Sequence, residues 1–331
     1  VQSLKLAATV TDPLGVAAAD ANLTADGLSG VSDLRRATVT VKGDRKAFDA
    51  IVGVTGAVTN ANLTARIEPS PDEIKVALQK FDGRYQGIPV ALASPTQARV
   101  MGARVTIDPT ALRLGGGTVR LSGVVDPVDS NLTVDVAGLP LSLADRFAPG
   151  TNLEGSLQAK AQVNGALANP RVQASYSLNG VRVRRPDTAL LPSLALQGTA
   201  SMADQQASVD ARLSAGGGAN LTIKGKGSPS GQGQVTLGGS IDIAPFSPAL
   251  GLSVRNVRGT VRPDLTVNIN GQTITGSGTV SLTGATLSLP ASGMQLSGGE
   301  GLILLQGDTL QIQRLRFQTA RSGSIDVTGS A

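Results

Sequence analysis

The 331 residues include 41 glycines but only 2% aromatics, and Trp, Cys and His are absent. Without His or Cys there is no zinc site of the usual kind, no Ser-His-Asp triad, no Cys-His dyad and no thiol redox couple. A net charge of +5 with almost no stacking rings argues against nucleic acid as a partner.

The scarcity of rings also argues against a compact sandwich centred on large aromatics and against an outer-membrane barrel with aromatic girdles. No apolar run reaches the roughly 18 residues of a membrane-spanning helix. The lack of cysteine fits the bacterial periplasm. Val1 is followed by no basic and apolar leader, so an excised or processed chain is expected.

In chain order, LKLAATV and ANLTA read as short strands and RATVTVK (Arg36–Lys42) as a clearer one. ANLTA recurs at Ala61–Ala65, and NLT at Asn131 and Asn220, as a strand-opening phrase reused along the chain. Ile74, Val76 and Leu78 alternate as in a strand, with a corner expected at Asp82-Gly83. Leu132, Val134 and Val136 alternate likewise.

The clearest alternation runs from Leu153 to Ile243. Leu157, Ala159, Ala161 and Val163 stand against Gln158, Lys160 and Gln162, and Val172, Ala174, Tyr176 and Leu178 against Gln173, Ser175 and Ser177. A period of two sends successive side chains to opposite faces, so each segment is a strand with one apolar and one wet face. Asn-Gly and Gly-Gly pairs, and Pro170, supply the corners. The same pattern continues through Leu221, Ile223, Val235, Leu237, Ile241 and Ile243. It resumes in Leu265, Val267, Ile269, Ile274, Val280, Leu282, Leu287 and Leu289, and ends in Ile325 and Val327. The run Leu302–Leu305 is expected to be buried on both faces, and the phase change between Ile312 and Leu315 to be a bulge. Short helical turns are expected only near Ala144–Pro149 and Ala244–Gly251.

Longer phrases also repeat. ALRLGGGTVRLSG ends at Gly123, RLSAGGGANLTIKG at Gly225 and RFQTARSGSIDVTG at Gly329, while LPLSLADRFAPG and GSIDIAPFSPALG place Phe147 and Phe246 alike. A supra-repeat of about a hundred residues marks a solenoid-like array. The glycine triplets at Gly115 and Gly216 are followed by strands, so they read as turns and not as a phosphate cradle, which needs a following helix. Glu68, Glu73, Glu154 and Glu300 are the glutamates. Asp126, Asp129, Asp187 and Asp264 stand near prolines as turn formers, and a glycosidase-like pair would require spatial juxtaposition. Arg182, Arg184, Arg185, Arg255, Arg258 and Arg262 read as solvent-facing strand residues that keep a sheet soluble, with anionic headgroup contact as the sharper alternative. No catalytic, cofactor-binding or metal residue is expected, and no enzyme.

The succession LEGSLQAKAQVNGALANPRVQASYSLNGVRV, GGGANLTIKG and GSIDI resembles the TamB family of AsmA-like bridge proteins, and KFDGRYQGIPVALASPTQARV with ALRLGGGTVRLSG resembles an upstream part of it. The likeness is strongest from Leu141 to Ile243. It implies an all-β fold: an elongated, twisted, incompletely closed β-sheet, or taco, built from repeated strand-turn units around an open apolar groove. On that reading residues 1–140, 141–243 and 244–331 form successive stretches of one continuous sheet, and the alternating apolar residues named above from Leu132 onward line the groove. The resemblance also implies a periplasmic setting in a double-membraned bacterium and phospholipid acyl chains as cargo. The parent would carry an inner-membrane anchor that this sequence lacks, and would meet the outer-membrane barrel TamA, though not through this segment. The alternative is a structural or adhesive parallel β-helix of a surface-exposed passenger protein.

Physical estimates agree with a conduit. Strands every ~12 residues, stacked ~4.8 Å apart, would extend on the order of 100 Å. Carrying a phospholipid through water exposes some ~30 methylenes at ~0.8 kcal/mol each, roughly 25 kcal/mol, which an aliphatic trough removes without specific contacts.

Overall fold

A computed structural model describes residues 3–11, 18–27, 34–185, 191–250, 253–320 and 322–330. Asp187 and Gly251, expected above in turns, lie outside the described residues. The fold is all-β, and every ladder given below is antiparallel, as hairpin-type corners require. Parallel coils, the basis of the β-helix alternative, do not occur among these ladders. The chain divides into two compact units: one takes in the residues up to Phe147 with Gln158–Pro170, the other Ala148–Leu157 with the residues from Arg171 onward.

The first unit is a meander. It opens with β1 (Ser3–Thr11), β2 (Ala18–Asp26), β3 (Leu34–Asp44), β4 (Phe48–Gly56), β5 (Thr59–Pro69) and β6 (Ile74–Tyr85). β7 (Ile88–Leu92) and β8 (Thr96–Met101) form a single line broken at Pro95, since both pair with β6 on one side and β9 (Arg104–Leu114) on the other. β10 (Gly117–Val125) and β11 (Ser130–Pro140) follow, then a 3-10 helix, Leu141–Arg146; β12 (Leu153–Gly165) is divided, its residues from Gln158 belonging to this unit and those up to Leu157 to the other. Among the described residues no ladder joins β1 to β11.

The second unit continues in the same style through β13 (Arg171–Val183), β14 (Leu194–Ala203), β15 (Gln206–Ala215), β16 (Ala219–Gly227) and β17 (Gln232–Asp242). After a 3-10 helix at Ala244–Leu250 come β18 (Arg255–Asn270), β19 (Thr273–Leu289), β20 (Met294–Gly307), β21 (Thr309–Thr319) and β22 (Ser324–Ser330). Each of these strands pairs with the next, and no described ladder joins β13 to β22.

The supra-repeat is structural. β9, β10, β11, β12 and β13 begin 102 residues before β15, β16, β17, β18 and β19 respectively. The two 3-10 helices follow the third strand of each set, and β14 begins 100 residues before β20. The period is therefore six strands, opened by a glycine-triplet hairpin at Gly115–Gly117 and again at Gly216–Gly218.

Local chemistry explains where the strands turn and where they do not. Asp82-Gly83 is not a corner: Asp82 pairs with Asn62 and Ala91, Gly83 with Ala61 and Val90, and the chain turns at Gln86-Gly87 with φ of 50° and 81°. Gly83 is a site of close approach, since a β-carbon there would lie 2.8 Å from the Asn60 carbonyl oxygen. Asn179-Gly180 likewise sits inside β13, where the register shifts between Leu178 and Val181. The expected bulge between Ile312 and Leu315 is present. Leu302–Leu305 is half-buried on both faces, not sealed.

Candidate aliphatic binding faces

Residues directly opposite across an antiparallel ladder share a face, so the registers sort every side chain. In the second unit one row reads Ala174, Ala200, Val209, Gly225, Val235, Val267 and Gly276. The next row on that face reads Tyr176, Gly198, Ala211, Ile223, Leu237, Leu265 and Gly278. The row between them, on the opposite face, reads Ser175, Thr199, Asp210, Lys224, Thr236, Thr266 and Ser277. Across β13–β19 these rows are apolar on one face and polar on the other, and on β20 Leu302 and Leu304 bring apolar side chains to the polar face opposite Ser281 and Thr279. The first unit repeats the division: Leu6, Leu23, Val39, Val52, Leu63 and Phe81 share a face, while Asn22, Thr40, Thr64 and Lys80 lie with Ile51 on the other.

The residues singled out from sequence fall as follows. Leu132, Val134 and Val136 oppose Gly123, Leu121 and Val119 on the aliphatic face of the first unit. Leu157 and Val163 are half-buried in β12. Val172 opposes Met202, Leu178 opposes Leu196, and Leu221, Ile223, Val235, Leu237 and Ile241 stand on the shared face of β16 and β17. Ile243 lies just past β17, its N–H donating to the Gly259 carbonyl at 3.0 Å. Leu265, Val267 and Ile269 continue the face on β18, Ile269 opposing the exposed Ile274. Val280 faces Pro263 and Ile303, and Val327 faces Leu315. Leu282, Leu287, Leu289 and Ile325 instead pack against a buried cluster of Ala285, Leu296 and Phe317.

That cluster was not singled out from sequence, nor was the aliphatic face of β1–β6. Alternation in RATVTVK and in ANLTA was the available signal for the latter. The former carries none, because Phe317 is buried by lying over Gly299: a β-carbon there would stand 2.4 Å from the Phe317 ring. Tyr176 similarly covers Gly198, whose β-carbon would lie 2.8 Å from the phenol oxygen. Pairing a ring with a glycine covers bare backbone that has no side chain of its own.

Charge is kept to the polar face. Lys42–Asp20 (3.0 Å), Arg66–Asp49 (3.4 Å) and Arg316–Asp326 (2.6 Å) are ion pairs between directly opposite residues, all solvent-exposed. The hydrogen bonds from Arg36 and Arg316 hold the Asp26 and Asp326 carboxyls below the usual carboxylate range. Asp44 and Asp126 are lowered by the backbone N–H groups of their own turns, from Ala47 and Lys46 and from Val128 and Asp129. Arg184 pairs with Glu154, and Arg262 donates to the Thr283 hydroxyl at 3.1 Å, so these members of the two arginine groups belong to exposed cross-strand contacts.

Among the described residues no group of three or more His, Cys, Asp or Glu is placed to hold a metal. No helix among them is long and apolar enough to cross a membrane. The backbone polar groups within each face are engaged in the ladders, so what the aliphatic face offers a ligand is hydrocarbon alone. The geometry thus defines a class: antiparallel β-units, each with one aliphatic and one polar face, joined by a six-strand repeat in sequence. No family model, curated protein or solved structure matches the chain.

Proposed function

We propose that this chain is a segment of a TamB-type periplasmic bridge protein whose aliphatic faces shield phospholipid acyl chains in transit between inner and outer membranes. The observation that carries the reading is the row from Ala174 to Gly276: seven neighbouring positions without a polar side chain, half-buried or exposed, with the Leu305 side chain lying over Gly276 to extend it. Apolar surface of this extent marks an interaction site. Hydrocarbon is the ligand that gains from it without needing hydrogen bonds, at about 25 cal/mol per Å² of area removed from water. The polar face, with its exposed ion pairs, keeps the sheet in water.

The test is direct. The purified chain is incubated with vesicles containing a fluorescent phospholipid, and the vesicles are removed by flotation. Phospholipid remaining with the protein in the vesicle-free fraction supports the reading. Its complete absence, with the protein folded by circular dichroism, sinks it.

A further inference from the structure

The second unit carries one backbone irregularity twice. Gly155 of β12, with φ of 120°, lies against the carbonyl oxygens of Asn179 and Gly180, and Gly259 of β18, with φ of 137°, against the backbone of Ala285. Gly180 and Gly284 both take φ of 65° and have open space where a β-carbon would stand. Gly155 to Gly259 and Gly180 to Gly284 are each 104 residues. The charges do not repeat with the backbone. Glu154 pairs with Arg184, whereas the positions 104 residues later hold Arg258 and Ser288. Among the described residues no carboxylate lies within ion-pair distance of Arg258. The second copy instead holds a depression of about 640 Å³, lined by Asp242, Arg258, Thr260 and Thr283 and by the bare backbone of Gly259 and Gly284. Asp242, Thr260 and Thr283 stand directly opposite one another across two ladders and so share the polar face, with Arg258 two residues along from Thr260. One Asp242 oxygen accepts the Ala244 N–H at 3.0 Å, and the other has no partner among the described residues. Thr283 Oγ1 accepts from Arg262 at 3.1 Å and keeps its own proton to donate.

We propose that this depression binds a zwitterion of the phosphoethanolamine kind, its phosphate taken by the Arg258 guanidinium and the Thr260 and Thr283 hydroxyls and its ammonium by Asp242. A guanidinium fork beside two hydroxyls supplies donors for several phosphate oxygens at once. Glycine at 259 and 284 keeps β-carbons out of the depression, so a ligand can approach the backbone there. A phosphate alone would meet the Asp242 carboxylate as a like charge, and an ammonium on the same ligand turns that carboxylate into a partner. This chemistry occurs both in a phospholipid headgroup and in a free phosphoethanolamine. The site lies on the face opposite the aliphatic rows, so it goes beyond the acyl-chain reading and stands or falls separately from it.

The experiment titrates the intact chain with glycerophosphoethanolamine, a headgroup without tails, and with inorganic phosphate, folding of each variant being checked by circular dichroism. Saturable binding of the zwitterion is expected, weakened about tenfold or more by Arg258→Gln and by Asp242→Asn. Arg212→Gln, which removes a charge elsewhere on the same face, should leave it unchanged. Inorganic phosphate should bind more weakly, and Asp242→Asn should tighten it. No saturable binding of the zwitterion, binding that Arg258→Gln or Asp242→Asn leaves unchanged, or phosphate bound as tightly as the zwitterion overturns the proposal. Flotation with vesicles of phosphatidylethanolamine separates the two sources. Co-flotation that is lost in Arg258→Gln assigns the lipid headgroup, and its absence beside intact binding of glycerophosphoethanolamine assigns the free ligand. Fatty-acid binding by Arg258→Gln should equal that of the unaltered chain, which keeps the two readings apart.

Discussion

Replacing Val267 by Arg places a guanidinium in the middle of the aliphatic face, between Val235 and Gly276, whose bare backbone is covered by the Leu305 side chain. On one face of a sheet each side chain covers about 33 Å², from a strand spacing of ~4.8 Å and a two-residue rise of ~6.8 Å. A charge at Val267 displaces hydrocarbon from its own patch and from its two cross-strand neighbours, about 100 Å² in all, worth about 2.5 kcal/mol at ~25 cal/mol per Å². That is a factor of about 60 in Kd. The control is its neighbour: Thr266→Arg adds the same charge to the same strand on the polar face. Kd for a fluorescent fatty acid is measured by titration for both variants, with circular dichroism as a check of folding. The expected result is about sixtyfold weaker binding for Val267→Arg and no change for Thr266→Arg. Equal losses, or none in either variant, would refute the assignment of faces to functions.

Other outcomes follow from the packing and the charges. Gly299→Ala drives a β-carbon to 2.4 Å from the Phe317 ring and 2.6 Å from the Ala285 β-carbon, and should cost about 1–3 kcal/mol in chemical denaturation. Phe317→Ala empties the same cluster and should cost about 3 kcal/mol. The depressed carboxyls of Asp26, Asp44, Asp126 and Asp326 contribute stability that is present above their ordinary value of 3.8 and lost as pH falls through the lower folded values. Thermal midpoints should therefore be level between about pH 5 and 8 and drop below about pH 4, with a shallower acid drop in Asp126→Asn. Deleting residues 104–205 removes one six-strand period between the equivalent corners before β9 and β15, and should leave a cooperatively melting β-protein; a molten product would show that the period is not a unit of folding.

Strand content was legible because alternation is enforced wherever one face meets water, and the hundred-residue repeat because glycine triplets and the Phe147 and Phe246 phrases recur in step. The bulge at Ile312 to Leu315 was legible as a phase change, and both 3-10 helices as breaks in alternation. Corners were read less well. Asp82-Gly83 has the composition of a turn, yet its glycine serves a close approach between β6 and β5 within the strand, and Gln86-Gly87 takes the positive φ instead. The same substitution of roles puts Asn179-Gly180 in a bulge. The buried cluster around Phe317 was illegible because a ring over a glycine is a relation between strands, which one strand's periodicity cannot express.

The central claim is that aliphatic side chains on these faces are left for a hydrocarbon ligand to cover. Native mass spectrometry of the chain after exposure to phospholipid addresses it most directly. The account predicts peaks displaced by whole lipid masses, and their loss in Val267→Arg but not in Thr266→Arg. Peaks of the bare chain alone, from protein that is folded and saturated with phospholipid, would contradict it.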